Sequence, residues 1–115
     1  MQPADAGTKP LSRILVVDDE PIIMMDLAQM LEARGYSVVG TANDGLDAMR
    51  LARETSPDVI LMDVKMPLCD GFTAAQNILR AQPDICIICC TAFADDAFIS
   101  QAESIGMAGY ILKPI

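Results

Sequence analysis

Histidine is absent from all 115 residues. The chain therefore cannot assemble a Ser-His-Asp triad, a histidine-ligated metal centre or a phosphohistidine of its own. Any phosphohistidine chemistry has to come from a partner. Basic residues are scarce too, with eight Lys and Arg against sixteen Asp and Glu and a formal charge of −8. Nucleic-acid binding needs Lys and Arg clusters that displace counterions, so none is expected of this segment. No apolar run approaches the roughly 20 residues that span a bilayer, and the first dozen residues lack a signal-peptide apolar core. The expectation is a cytoplasmic chain with no membrane partner.

Cysteine is limited to Cys69, Cys86, Cys89 and Cys90. Cys86-Ile-Ile-Cys89 has the spacing of a redox pair, but it lies inside an apolar run that reads as a strand. Side chains alternate faces along a strand, so the two point apart and cannot readily bond to each other or share a zinc ion. They read as core residues, as do most of the eight methionines.

What is present is the composition of an ordinary globular domain, 52% hydrophobic and 21% charged. The length suits one domain with a real core. Residues 1–12, rich in Ala, Pro and Gly and without periodicity, read as a loose tail preceding a domain over 13–115. From there strands and helices alternate. The first strand is expected at about Arg13 to Val17, and a helix opens at Glu20-Pro21 with Ile23, Leu27, Met30 and Leu31 on one face until Gly35 stops it. A second strand, about Ser37 to Gly40, leads to a helix capped by Asn43 or Asp44 and bearing Ala48, Met49 and Ala52 inward.

The third strand, Val59 to Met62, is followed by a loop broken at Met66-Pro67 and a helix with Phe72, Ala75, Ile78 and Leu79 at helical spacing. A fourth strand over Ile85 to Cys90, a helix opened by Asp95 with Phe98, Ala102 and Ile105 inward, and a fifth strand over Gly109 to Leu112 complete the series. Four β-α repeats plus a strand predict an α/β fold with a doubly wound parallel sheet. No residues remain for a helix after the fifth strand. The expectation is a segment of a longer protein, or a sheet face covered by another chain, since each uncovered apolar side chain forgoes roughly 1.5–3 kcal/mol of burial. Burial of Ile111 and its same-face neighbours by this chain's own residues would contradict that.

The strands' downstream ends carry the chemistry. Asp18 and Asp19 close the first apolar run, Asp63 the third, Thr91 the fourth and Lys113 the fifth. In open α/β sheets ligands bind beyond the carboxyl ends of the strands. Asp18, Asp19 and Asp63 are expected within a few ångströms of one another, and carboxylates that close need a cation between them. Hard oxygen donors on an incomplete cage suit Mg²⁺, which shares itself readily with a phosphate. One carboxylate can then attack phosphorus, while Thr91 and Lys113 hold the equatorial oxygens. Taken alone, Asp18 and Asp19 would read as a helix N-terminal cap pair; the register with Asp63 and Lys113 favours the site.

Val-Val-Asp18-Asp19-Glu20, Met62-Asp63-Val-Lys-Met66-Pro67 with Gly71 following, Thr91-Ala92 and Tyr110-Ile-Leu-Lys113-Pro114 stand in order. Over about Arg13 to Ile115 the chain resembles the receiver domain of two-component response regulators. The resemblance implies a flavodoxin-like strand order 2-1-3-4-5. It implies Asp63 as phosphoacceptor, Asp19 as a direct Mg²⁺ ligand, Asp18 acting through metal-bound water and the Lys65 carbonyl completing the coordination. It further implies Thr91 and Lys113 as phosphoryl ligands, Tyr110 as a switch aromatic, Phe93 beside the phosphoryl rim and a cis Lys113-Pro114 bond.

The implied partner is a sensor histidine kinase or a histidine phosphotransfer protein, with a homodimer as a further candidate assembly. The implied activity is self-catalysed phosphotransfer and autodephosphorylation, not that of an enzyme acting on a separate substrate, with the helix 4 and strand 5 face as the output. The run from Asp26 to Gly40 with Thr91-Ala-Phe93 is similar to receivers attached to RNA-binding antiterminator (ANTAR) domains and to stand-alone receivers alike. Two alternatives stand beside this. A haloacid-dehalogenase-type hydrolase would need an acid two residues past the nucleophile, where Lys65 stands, and a nucleophile on the first strand. A receiver-shaped interaction module would never need phosphate.

Overall fold

The computed structural model of the chain describes residues 12–63, 71–91 and 95–112. Residues 1–11 of the expected tail over 1–12, the loop containing Lys65 and Cys69, Phe93, and the Lys113-Pro114 bond lie outside the described residues.

Every expected element forms: β1 (Arg13–Val17), α1 (Pro21–Ala33), β2 (Ser37–Ala42), α2 (Gly45–Thr55), β3 (Val59–Asp63), α3 (Gly71–Ala81), β4 (Cys86–Thr91), α4 (Asp96–Ile105) and β5 (Gly109–Leu112). The strands make one parallel sheet in the order β2-β1-β3-β4-β5. The sequence places the ends well because they carry local chemistry. The Asp44 carboxylate accepts from the Asp47 N–H at 2.8 Å and starts α2, and Asp95 does the same for α4 through the Phe98 N–H at 2.8 Å. Gly106, with φ of 102°, supplies the left-handed turn that ends α4. At the end of α2, Ser56 takes that conformation without being glycine, and the Arg13 guanidinium donates to the Ser56 and Thr55 carbonyls at 2.8 and 2.7 Å. A cation there offsets the helix's negative end.

β4 lies one residue on from the expected Ile85 to Cys90, and two further expectations shift. β2 runs to Ala42, two residues past the expected Gly40, because Thr41 and Ala42 find partners in Val16 and Val17 of β1. Its register skips Val39, a bulge that no side-chain pattern announces. On α1, Leu27 and Leu31 are buried as expected with Met30 partly so, but Met24 joins them in the core contact in place of Ile23.

Strand alternation splits the core into two layers. Leu15, Val17, Ile60, Met62, Ile87 and Cys89 face α2, α3 and α4, meeting Ala48, Ala52, Ala75, Ile78 and Ala102. The Phe72 and Phe98 rings, 5.3 Å apart, join α3 to α4 beside this layer. Ile14, Val16, Leu61 and Cys90 face the other way, toward Leu27 and Leu31 of α1. Among the described residues α1 is the helix that packs on this second face, where Val59, Ile88 and Ile111 are only partly buried.

The cysteines follow the alternation, with Cys89 in the first layer, Cys90 in the second and Cys86 partly exposed, all three as free thiols. The Cys89 Sγ lies 3.1 Å from Met107 Sδ. Burial, and secondarily Cys90, pushes the Cys89 thiol up to about 12 from an ordinary 9.0. The folded thiol stays protonated where the unfolded one ionises, so its contribution to stability is full below pH 9 and fades as pH rises toward about 12. The thiolate is the reactive form. Iodoacetamide at pH 8 is therefore expected to leave Cys89 unmodified in the folded chain and to alkylate it after unfolding, read by peptide mass mapping. Alkylation of Cys89 in the folded chain would contradict this.

Candidate functional site

Among the described residues, the buried polar or charged side chains are Asp18, Asp63 and Thr91, at 3%, 6% and 4% exposure. All three stand at the carboxyl end of a strand. Asp63 is the last residue of β3 and Thr91 the last of β4, while Asp18 follows β1 directly. Buried polar groups are costly unless they are paired or used, and a random scatter would not collect them at one edge.

The sheet sets their spacing. The Asp18 N–H donates to the Ala42 carbonyl at 3.0 Å, prolonging the β1-β2 ladder by one step. The β1-β3 register pairs Val17 with Met62, so continuing it one residue sets Asp18 beside Asp63. The β3-β4 register pairs Asp63 with Cys90 and so puts Thr91 one residue further along the neighbouring strand. Thr91 is paired in turn with Leu112, the last residue of β5. Tyr110 stands on β5 opposite Cys89 and is 44% exposed. Lys65, Phe93 and Lys113 lie outside the described residues.

One group of carboxylates is close-set around the start of α1. Oxygens of Asp18, Asp19 and Glu20 lie within 4.8 Å of one another, and Asp63 stands at the end of the neighbouring strand. Asp18 is not a helix cap, since its Oδ1 accepts from the Glu20 N–H at 2.9 Å while Glu20 is itself the N-cap residue of α1. This bond holds the Asp18 carboxylate in one orientation.

Residues 14–115 match the family described as the response regulator receiver domain. The chain belongs to this family. It is the receiver domain of a two-component response regulator, and the hydrolase alternative, which needs its nucleophile on the first strand, falls away. The transcriptional regulatory protein PdtaR of Mycobacterium tuberculosis strain H37Rv is 42% identical over 112 residues, which cover 96% of this chain and 53% of PdtaR. Response regulator GacA of Pseudomonas aeruginosa is 43% identical over 102 residues, 88% of this chain and 48% of GacA. The receiver thus spans about half the length of the curated relatives it matches. A chain of the CheX-CheY-BeF3-Mg²⁺ complex from Borrelia burgdorferi superposes with a TM-score of 0.89 at 25% identity, covering 95% of this chain and 83% of that one. Among the described residues no helix is long and apolar enough to cross a membrane.

Proposed function

We propose that this receiver accepts a phosphoryl group on Asp63 from a phosphohistidine of a sensor kinase or phosphotransfer protein in the cytoplasm. The supporting observation is that, among the described residues, the buried polar side chains are Asp18, Asp63 and Thr91 at one sheet edge. An Asp63 carboxylate oxygen attacks phosphorus, the P–N bond of the donor breaks, and the imidazole leaves with the electron pair. Asp63 carries the bond as an acyl phosphate. Thr91, on the adjoining strand, donates its hydroxyl to a phosphoryl oxygen, and Lys113 neutralises another.

The donor set fits Mg²⁺, because it consists of hard carboxylate oxygens, and an Asp19 oxygen lies within 4.8 Å of one on the buried Asp18. Asp19 and Asp63 would hold the ion directly, Asp18 through water, and the Lys65 carbonyl would add a further oxygen. Bound there, Mg²⁺ supplies positive charge that offsets both the crowded acids and the incoming phosphoryl group. Thr91 moves toward the phosphoryl group, and Tyr110, half-exposed before that event, turns inward and remodels the face of α4 and β5. Loss of the phosphoryl group to water, catalysed by the same residues, resets the switch. The output beyond this domain, an RNA-binding antiterminator among the readings, belongs to the whole protein, as does assembly into a homodimer through the altered face.

Acetyl phosphate with Mg²⁺ tests the proposal without a kinase. Intact mass is expected to show one phosphoryl group gained per chain, and none when EDTA replaces Mg²⁺. No gain at any Mg²⁺ or acetyl phosphate concentration would favour an interaction module that does not use phosphate.

A further inference from the structure

The helices of this chain divide their charge unevenly. α1 and α4 carry Asp26, Glu32, Asp96 and Glu103 and no basic residue, whereas Arg50, Arg53 and Arg80 all stand on α2 and α3. The two acids of α2 are already engaged, because the Arg50 guanidinium holds both Asp47 and Glu54, and α3 contains no acid at all. Among the described residues Arg53 and Arg80 take part in no ion pair. In a chain of formal charge −8, two uncompensated arginines on neighbouring helices form a local exception.

A groove of about 390 Å³ runs between these two helices, lined by Met49, Arg53, Asn77, Ile78, Ala81 and Gln82. Its base is apolar, because Ile78, 3% exposed, and the half-buried Met49 both belong to the core layer under α2 and α3. Ala81, the last residue of α3, is too small to close it. Arg53 supplies a cation on the α2 side. On the α3 side the Arg80 guanidinium reaches Asn77 Oδ1 at 3.5 Å and so stands beside the same groove. A cation in the last turn suits the negative end of each helix, which accounts for a basic residue there but not for two around one apolar base.

We propose that this groove docks an acidic amphipathic segment of a partner protein, with an apolar side chain on Met49 and Ile78 and carboxylates on Arg53 and Arg80. Guanidinium forks suit carboxylates, and an apolar anchor flanked by charges is how such a segment lies in a groove between helices. The amides of Asn77 and Gln82 satisfy further polar atoms at the rim. A nucleic-acid backbone presents anions well beyond the two arginines, where the chain's negative charge repels it. The groove lies toward the C-terminal ends of α2 and α3, which lead into the amino ends of β3 and β4. The docked segment therefore sits away from the edge that collects Asp18, Asp63 and Thr91, and its docking does not depend on Asp63 taking a phosphoryl group.

The test is a titration of the whole isotope-labelled chain, read by amide NMR shifts, with a peptide of repeated Glu-Leu-Ala-Glu blocks and with its Lys-Leu-Ala-Lys counterpart. The acidic peptide is expected to shift the amides of Met49, Arg53, Asn77, Ile78 and Ala81 together and saturably, and the basic one to leave them in place. Arg53→Gln and Arg80→Gln should each weaken the acidic peptide about two- to fivefold, the effect of losing an exposed ion pair. Ala81→Glu, at an exposed position, puts bulk and negative charge into the groove and should weaken it at least about tenfold. Arg34→Gln removes the same unit of charge from the end of α1, outside the groove, and should leave the Kd unchanged.

Absence of saturable shifts at these residues, equal shifts with the basic peptide, or an equal loss in Arg34→Gln overturns the proposal. Shifts of the same amides with chain concentration alone, before peptide is added, would give the groove to a second copy and overturn it as well. Retained dispersion of the amide spectrum verifies that each variant is folded when titrated.

Discussion

Asp63→Asn is expected to gain no phosphoryl group from acetyl phosphate under conditions in which the native chain gains one. The substitution keeps the shape of the side chain and replaces an anionic oxygen by an amide, which is no nucleophile toward phosphorus. Asp63 is 6% exposed at the end of a central strand, so a larger or apolar replacement would confound chemistry with packing. Asparagine avoids this. It also removes one negative charge from beside Asp18, which lowers like-charge repulsion, so the fold should be retained. The loss is expected to be complete because the residue supplies the bond itself, whereas loss of a neighbouring oxygen ligand slows the step by a factor. Intact mass reads the phosphoryl group and far-UV circular dichroism reads the fold. A full phosphoryl gain by Asp63→Asn would move the acceptor elsewhere, with Asp18 and Asp19 as the nearest acids, and would dismantle the proposed function.

The strand ends were legible in the sequence for a physical reason. A parallel strand buried on both faces admits no polar residue along its length, so the first acid after Val17 and after Met62 marks both the end of the strand and the start of the site. Helix starts at Asp44 and Asp95 were legible for a similar reason, since each satisfies an N–H three residues on. What escaped depends on pairing between segments far apart in sequence. Gly40-Thr41-Ala42 reads locally as the approach to a turn, and only the neighbouring β1 holds it extended. That miss is a tertiary fact laid over a plausible local reading.

Ile60→Ala is expected to destabilise the domain by about 2–5 kcal/mol, the range for truncating a fully buried isoleucine. β3 is the middle strand of five, and Ile60 lies between Leu15 and Ile87 in the register, with no exposed surface. Its side chain fills the layer under α2, α3 and α4, where small residues such as Ala48, Ala52, Ala74 and Ala75 bring the helices close to the sheet. Against a total stability of roughly 5–15 kcal/mol for a domain of this size, such a loss moves the urea midpoint far enough to be unmistakable. Ile22→Ala removes the same atoms from a side chain that is 75% exposed on α1, and should change stability by no more than about 0.5 kcal/mol. Urea unfolding of both variants, followed by circular dichroism, separates burial from composition. Equal shifts in the two midpoints would mean that the layer beneath α2, α3 and α4 does not carry the fold. The acidic edge would then lose the rigid sheet that holds Asp18, Asp63 and Thr91 in register.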